Sequence, residues 1–505
     1  MRESTLTVRN ALRQGLRTTV NTPKNSPALY QCTYAKPTER GLEDPVDVEA
    51  RFAAETHAWP FPQFFQWGQY RRGYPGYYHF LFGATSIKMV NEADWSLGAA
   101  LTTYKLEDDT ATRAITTGGV WQFAEAGASW VACNGYSIVV SDNRYTAYDA
   151  THKYLVTNSA CSAVCGHKGR ILYGGFGISF AWPYHWSLLT GTLAGETTVA
   201  YNTFEPRDNW VFWTPINSDL TLLWEAPADL PRLIRSNRFG FAPMPWKGTV
   251  YAMREFGNGV LVYGDHGIAY MEHITEPVPT FSIRKVADFG IMNRGAVGGD
   301  KSTQYFITAL GVLYRISSEK GLEKLGYEEH FITMATDEIV MSWDDRLREC
   351  YVSGEYGTSK ISYLITPQGV CTLPYRVYSG WVMDGDWNAI IDVQADLTAY
   401  VATDWLDFGY KDYKTVTTVE VGADTSQSMW VALDYSNDDG KSWTRTDWVL
   451  VNGQGWARLQ KTAILFRVAV KVASYSGLYM DYLNIHWQAC GHQTRRGPGA
   501  DTAEL

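Results

Sequence analysis

The sequence predicts an all-β chain, and three observations predict it. Apolar runs come in pairs around small glycine turns, as in Gly259-Val-Leu-Val-Tyr-Gly-Asp-His-Gly-Ile-Ala-Tyr-Met271 and Ser302-Thr-Gln-Tyr-Phe-Ile-Thr-Ala-Leu-Gly-Val-Leu-Tyr-Arg-Ile316. The composition suits strands and tight turns: 20 Trp, 32 Tyr and 45 Gly in 505 residues. The pairs also recur along most of the chain. A lone hairpin cannot bury its own apolar face. Hairpins repeated every ~45–60 residues therefore suggest radial packing, the layout of a β-propeller with about five to seven blades.

Residues 1–50 are polar and rich in Thr, Asn and Pro. They read as an extended N-terminal arm, with a short helix near Asn10–Arg17, which needs a partner or its own core to be ordered. Residues 51–405 carry the propeller signals. Tyr77–Phe82 with Ile87–Val90 is one hairpin, and Ser129–Cys133 with Tyr136–Val140 around Asn134-Gly135 is another. Asn-Gly between apolar runs is a strong hairpin signal. Further hairpins are expected at 170–179, 250–272, 295–316, 339–373 and 381–402. The stretch 184–245, with four tryptophans, Trp246 just beyond it and several prolines, resists this reading. Residues 406–490 alternate at Thr415–Val421, Met429–Tyr435, Ile464–Val472 and Tyr482–Trp487, which predicts a C-terminal antiparallel β-sandwich. Residues 491–505 read as a flexible polar tail.

Charge and cysteines narrow the classes. The net charge of −9 argues against a protein that grips nucleic acid by neutralising phosphates. Seven scattered cysteines argue for free thiols in a reducing compartment. No run approaches the ~20 apolar residues of a membrane helix, so no membrane span is expected.

One named motif stands out. Ser436-Asn-Asp-Asp-Gly-Lys-Ser-Trp443 fits the Asp-box pattern of sialidases and other propellers. Ser436, Asp438, Gly440 and Trp443 are its turn residues. Asp438 accepts turn amides, Gly440 permits positive φ, and Trp443 is expected to fold beneath the turn. This is a structural role, and no arginine trio or Tyr/Glu pair of a sialidase can be picked out by spacing. Cys161, Cys165 and His167 supply at most three zinc ligands and no fourth, so buried thiols are the expected reading. His266, His273, His330 and His486 are isolated. No phosphate loop and no Gly-x-Ser-x-Gly occurs. No catalytic, metal or cofactor site is therefore expected. The stretch Phe64, Phe65, Trp67, Tyr70, Arg71 and Arg72 interleaves aromatics with arginine and is the candidate interface.

The hairpin series, arm and sandwich, with Ala58-Trp-Pro-Phe-Pro-Gln63, Gly118-Gly-Val-Trp-Gln-Phe123, Asp288-Phe-Gly290 through Gly311-Val-Leu-Tyr-Arg315, and Cys490-Gly-His-Gln-Thr-Arg-Arg496, resemble the β-propeller nozzle or packaged-DNA stabilisation proteins of short-tailed bacteriophages. The likeness is one of layout over most of the chain. It implies a structural virion protein, not an enzyme, made in the host cytoplasm. It also implies a homo-oligomeric ring, hexameric in this reading, around the DNA channel. The ring would join tail adaptor or tube proteins to distal tail proteins, and would help retain and then conduct the genome. Double-stranded DNA would pass an acidic lumen without sequence-specific binding. The alternative is a glycan-binding or glycoside-hydrolysing, sialidase-like propeller that meets a host-surface glycan.

Overall fold

The computed structural model describes residues 3–18, 25–43, 161–176, 208–214, 216, 240–274, 280–334, 339–344, 348–356, 359–373, 398–424, 428–473 and 478–490. It also describes short strands at 65–67, 71–72, 77–83, 87–91, 103–104, 113–114, 122–126, 129–133, 138–142, 154–156, 376–378, 381–383 and 502–504. These residues are nearly all β. Their helices are one turn each, Asn10–Gln14 and Glu328–Phe331. No described helix is long and apolar enough to cross a membrane.

Two of the expected hairpins are the middles of larger units, whereas the one expected at 381–402 does not form among the described residues, since Trp381–Met383 pairs with Arg376–Tyr378. Gly259–Gly264 pairs with Ile268–Ile274, and Thr303–Ile307 with Leu313–Ser317. Each pair gains a strand on either side, giving four antiparallel strands in chain order. Among the described residues, five such meanders follow one another. Meander 1 spans 122–156, meander 2 spans 161–243, meander 3 spans 250–287, meander 4 spans 297–326 and meander 5 spans 340–373. The difficult stretch 184–245 supplies the third and fourth strands of meander 2, Trp210–Trp213 and Gly240–Pro243. Its other residues fall mostly outside the described set.

Meander 3 buries both of its faces. Val260, Val262, Ala269 and Met271 share a buried cluster with Leu172, Val211 and Trp213 of meander 2. The alternate residues Leu261, Tyr263, Ile268 and Tyr270 belong instead to the cluster containing Phe306 and Ile307 of meander 4. Side chains alternate along a strand, so successive residues serve opposite neighbours. Polar ties add to this packing. Tyr263 donates to Gln304 Oε1 at 2.6 Å, and Gln304 Nε2 donates to the Glu255 carbonyl at 2.7 Å. His167 of meander 2 and Lys301 beside meander 4 both meet the Glu255 carboxylate, at 3.0 and 2.6 Å. Burial alone would raise the pKa of Glu255; the hydrogen bonds from His167 and Lys301 outweigh it and hold the carboxyl below its usual range. Between meanders 4 and 5 the approach is so close that a Cβ on Gly298 would sit 3.2 Å from Cys350 Sγ.

Meander 5 does not end its sheet. Gln31–Thr33 pairs parallel with Val370–Leu373 on one side and antiparallel with Thr398–Ala402 on the other. The sheet then continues through Leu465–Ala473 and Met429–Ser436 to Thr444–Arg445, ten strands in all. A seven-stranded sheet contains Tyr479–Ala489, Lys414–Asp424, Trp456–Ala463 and Ser4–Val8. Val431, Leu433, Val468 and Val470 of the first sheet share one core with Val419, Val421, Leu483 and Ile485 of the second. The boundary expected at 405 is thus crossed by strand pairing, because Thr398–Ala402 is a partner of Leu465–Ala473.

The N-terminal segment is sewn in by its own core contacts. Leu6, Val8, Leu12, Leu29, Cys32 and Leu42 are buried in the main cluster. Gly15 has φ +67, and a Cβ there would lie 2.6 Å from the Val370 carbonyl, so only glycine fits this corner. Arg17 pairs with Asp404 at 2.9 Å, both side chains under a tenth exposed. Lys36 reaches the buried Glu349 carboxylate at 2.5 Å, which also accepts from Tyr351 Oη. From the polar tail, Thr502–Glu504 returns as a parallel strand beside Thr5–Thr7.

Candidate functional site

The Asp-box turn forms as a polar knot. Ser436 Oγ donates to Asp438 Oδ1 at 2.8 Å and accepts from the Gly440 amide at 2.9 Å. Asp438 accepts from the Ser442 amide at 2.8 Å and from Ser442 Oγ at 2.5 Å. The bonds from Ser442, then that from Ser436, hold the exposed Asp438 carboxyl down at about 2. Asp439 and Gly440 take positive φ, 66° and 83°. The ring beneath the turn is not Trp443, as the motif led us to expect. It is Trp405, whose Nε1 would meet a Cβ on Gly440 at 3.1 Å. Trp443 is 50% exposed. The reason is register: Thr444–Arg445 re-enters the sheet against Asp434 and Tyr435, which leaves Trp443 at the rim.

The sheet face beside this turn concentrates rings and cations. On Met429–Ser436, Val431 and Leu433 point to the core, so Trp430, Ala432 and Asp434 share the other face. Register sets Trp430 opposite Lys471 and Asp434 opposite Arg467. Asp434 is fully buried, and Arg445 grips it through two bonds, at 2.6 and 3.0 Å. Arg445 Nη2 also donates to Tyr400 Oη at 2.6 Å. The bonds to Asp434, the largest influence, raise the Arg445 pKa. Its guanidinium lies 5.7 Å from the Trp443 ring and 5.4 Å from the Trp448 ring. Lys471 Nζ lies 4.8 Å from the Trp448 ring and 5.3 Å from that of Trp430. Deeper in, Arg467 stacks between Tyr30 at 3.4 Å and Trp405 at 4.5 Å. Burial lowers the pKa of Arg467.

The other singled-out residues do not converge. Cys161 and Cys165 lie four residues apart on one strand, about 13 Å along it, too far to share a metal. Cys161 instead meets Cys133 of meander 1, whose pKa burial pushes up. His167 is tied to Glu255. No group of three metal-binding side chains occurs among the described residues. His273 packs edge-on to Phe281, His330 meets the Arg17 carbonyl at 3.0 Å, and His486 stacks on Trp456. Burial lowers the pKa of both His273 and His330. In the candidate interface, Phe65–Trp67 and Arg71–Arg72 form strands against Tyr77–Gly83. Phe64, Tyr70 and all side chains of that stretch lie outside the described residues.

No protein-family model matches the chain, and no curated protein is similar to it in sequence. Among solved structures it is similar to dihydro-heme d1 dehydrogenase NirN, with 10% identity over 68% of this chain and a TM-score of 0.34. It is similar to PorZ of Porphyromonas gingivalis, with 12% identity over 73% and 0.35. It is also similar to the extracellular domain of a hybrid two-component system from B. thetaiotaomicron, with 9% identity over 76% and 0.34. The matches span 62%, 38% and 47% of those three chains.

Proposed function

We propose that the chain is a shape-giving subunit, a β-propeller joined to a C-terminal β-sandwich, which assembles into a ring of the tail-nozzle kind. The observation that carries this reading is the two-sided burial of meander 3 between meanders 2 and 4. Four-stranded meanders stacked face to face in chain order are what a propeller requires. The seam made by Gln31–Thr33 supports the rest, since it couples the meander series to the C-terminal sheets through backbone hydrogen bonds. A part that bears load in an assembly benefits from such a joint. The net charge of −9 suits a lumen past which DNA slides. In this reading the ring surrounds the genome channel, meets adaptor and distal tail proteins at its two ends, and performs no chemistry.

Electron microscopy of the purified full chain tests the proposal. Rings with a central hole are expected at micromolar concentration. Uniform monomers that hydrolyse a sialylated or other glycan would replace it with the enzymatic reading.

A further inference from the structure

We propose that the outer face of the ten-stranded sheet binds an acidic polysaccharide, with sugars stacked on Trp443, Trp448 and Trp430 and a sugar carboxylate held by Arg445. The inference is independent of the ring proposal, since it concerns a surface and not an assembly.

Rings and cations alternate along this face in the order Trp443, Arg445, Trp448, Lys471, Trp430, with successive separations between 4.8 and 5.7 Å. The stripe is partly open to solvent. Trp443 is 50% exposed, and Leu450, paired with Trp430, is 56% exposed. Arg445 is aimed before any ligand arrives. Asp434 and Tyr400 take up Nε and Nη2, and Nη1 meets no acceptor among the described residues. With Nε and both Nη2 hydrogens engaged, Nη1 alone remains to donate, and a carboxylate is the strongest acceptor it can meet. Indole faces beside it offer flat apolar surface to the C–H face of a pyranose.

Charge density selects the ligand. Single-stranded nucleic acid also stacks on aromatics, but it carries a charge on every nucleotide and is gripped by a dense basic groove. Here two cations serve three tryptophans, the neighbouring Asp447 is exposed, and the whole chain is acidic. Widely spaced carboxylates between uncharged ring faces match that pattern. A neutral glycan would offer Arg445 Nη1 only hydroxyl oxygens, weaker acceptors than a carboxylate.

The test uses the full chain with three probes: oligogalacturonate, a neutral oligosaccharide of equal length, and oligothymidylate. Tryptophan fluorescence and calorimetry read binding. Oligogalacturonate is expected to bind at least tenfold more tightly than the neutral sugar. Trp443→Ala should weaken that binding about tenfold with an unchanged thermal melt, because the side chain is at the rim. Lys471→Ala should weaken it severalfold. Arg445→Gln should abolish it but strands Asp434, so Trp443→Ala decides if that variant fails to fold. Equal affinity for the neutral sugar, tighter binding of oligothymidylate, or binding indifferent to Trp443→Ala would each overturn the proposal.

Discussion

The meander series and the N-terminal segment are built on opposite terms. In meanders 3 and 4, each strand pairs with the strand made just before or after it. In the N-terminal segment, Ser4–Val8 pairs with Tyr479–Ala489, and Gln31–Thr33 with strands near 372 and 400. The first region is local, with polar ties added to its apolar packing. The second is distant, and adds to its apolar anchors the buried pair of Arg17 with Asp404 and the contact of Lys36 with Glu349. A meander can therefore lose a contact and keep its shape, whereas the seam holds only while all its partners are present.

Removal of residues 1–43 breaks the comparison most severely. It takes Gln31–Thr33 out of the ten-stranded sheet and Ser4–Val8 out of the other. The C-terminal half should become susceptible to limited proteolysis, while fragments covering meanders 3 and 4 persist longest. Asp404→Ala comes next. It leaves Arg17 buried without its carboxylate and should cost about 3–5 kcal/mol in denaturant unfolding. An Arg17→Met/Asp404→Leu pair should recover only part of that loss: it removes both charges together, but the Trp405 amide loses its Asp404 acceptor. Tyr263→Phe, between meanders 3 and 4, should cost only about 1–2 kcal/mol, the price of one buried acceptor on Gln304.

The smallest effect belongs to the Asp-box turn. The folded-state pKa of Asp438 is lowered, to about 2. Its stabilising contribution is therefore present above the ordinary carboxylate range, and it is lost as pH falls from about 4 through 2. Carbon-13 NMR of the Asp438 carboxyl should show a midpoint near 2, with the Ser442 amide resonance moving in step. A midpoint near 4 would mean that the knot is open in solution.

The legible part of the sequence was the part written locally. Gly259–Met271 and Ser302–Ile316 carry both strands and the turn within one window, and both hairpins form. The C-terminal strands at 414–424, 429–436, 465–473 and 479–489 stood out by alternation for the same reason. Trp456–Ala463 was missed because its outward residues include Arg458, Gln460 and Thr462, and its partner lies some 40 residues back. The roles of Gln31–Thr33 and Ser4–Val8 could not be read at all. Nothing in three or five residues names a partner hundreds of positions away. The ring–cation face has the same character. Trp430, Lys471 and Arg445 are unremarkable in sequence and become neighbours only through register across three strands. The one signal available was the Asp-box itself, which marked the turn but suggested the wrong tryptophan beneath it.

The seam also sets a timetable for the chain's birth. Thr7 hydrogen-bonds to Asn484, 477 positions later. At roughly 5–20 residues per second on the ribosome, about 25 to 95 s pass between the appearance of the two. Through that interval the meanders can close one after another while the leading segment stays without its partners. Tyr479–Ala489 thus completes a joint begun by Ser4–Val8, and the joint becomes a checkpoint that is passed only after both strands have been made.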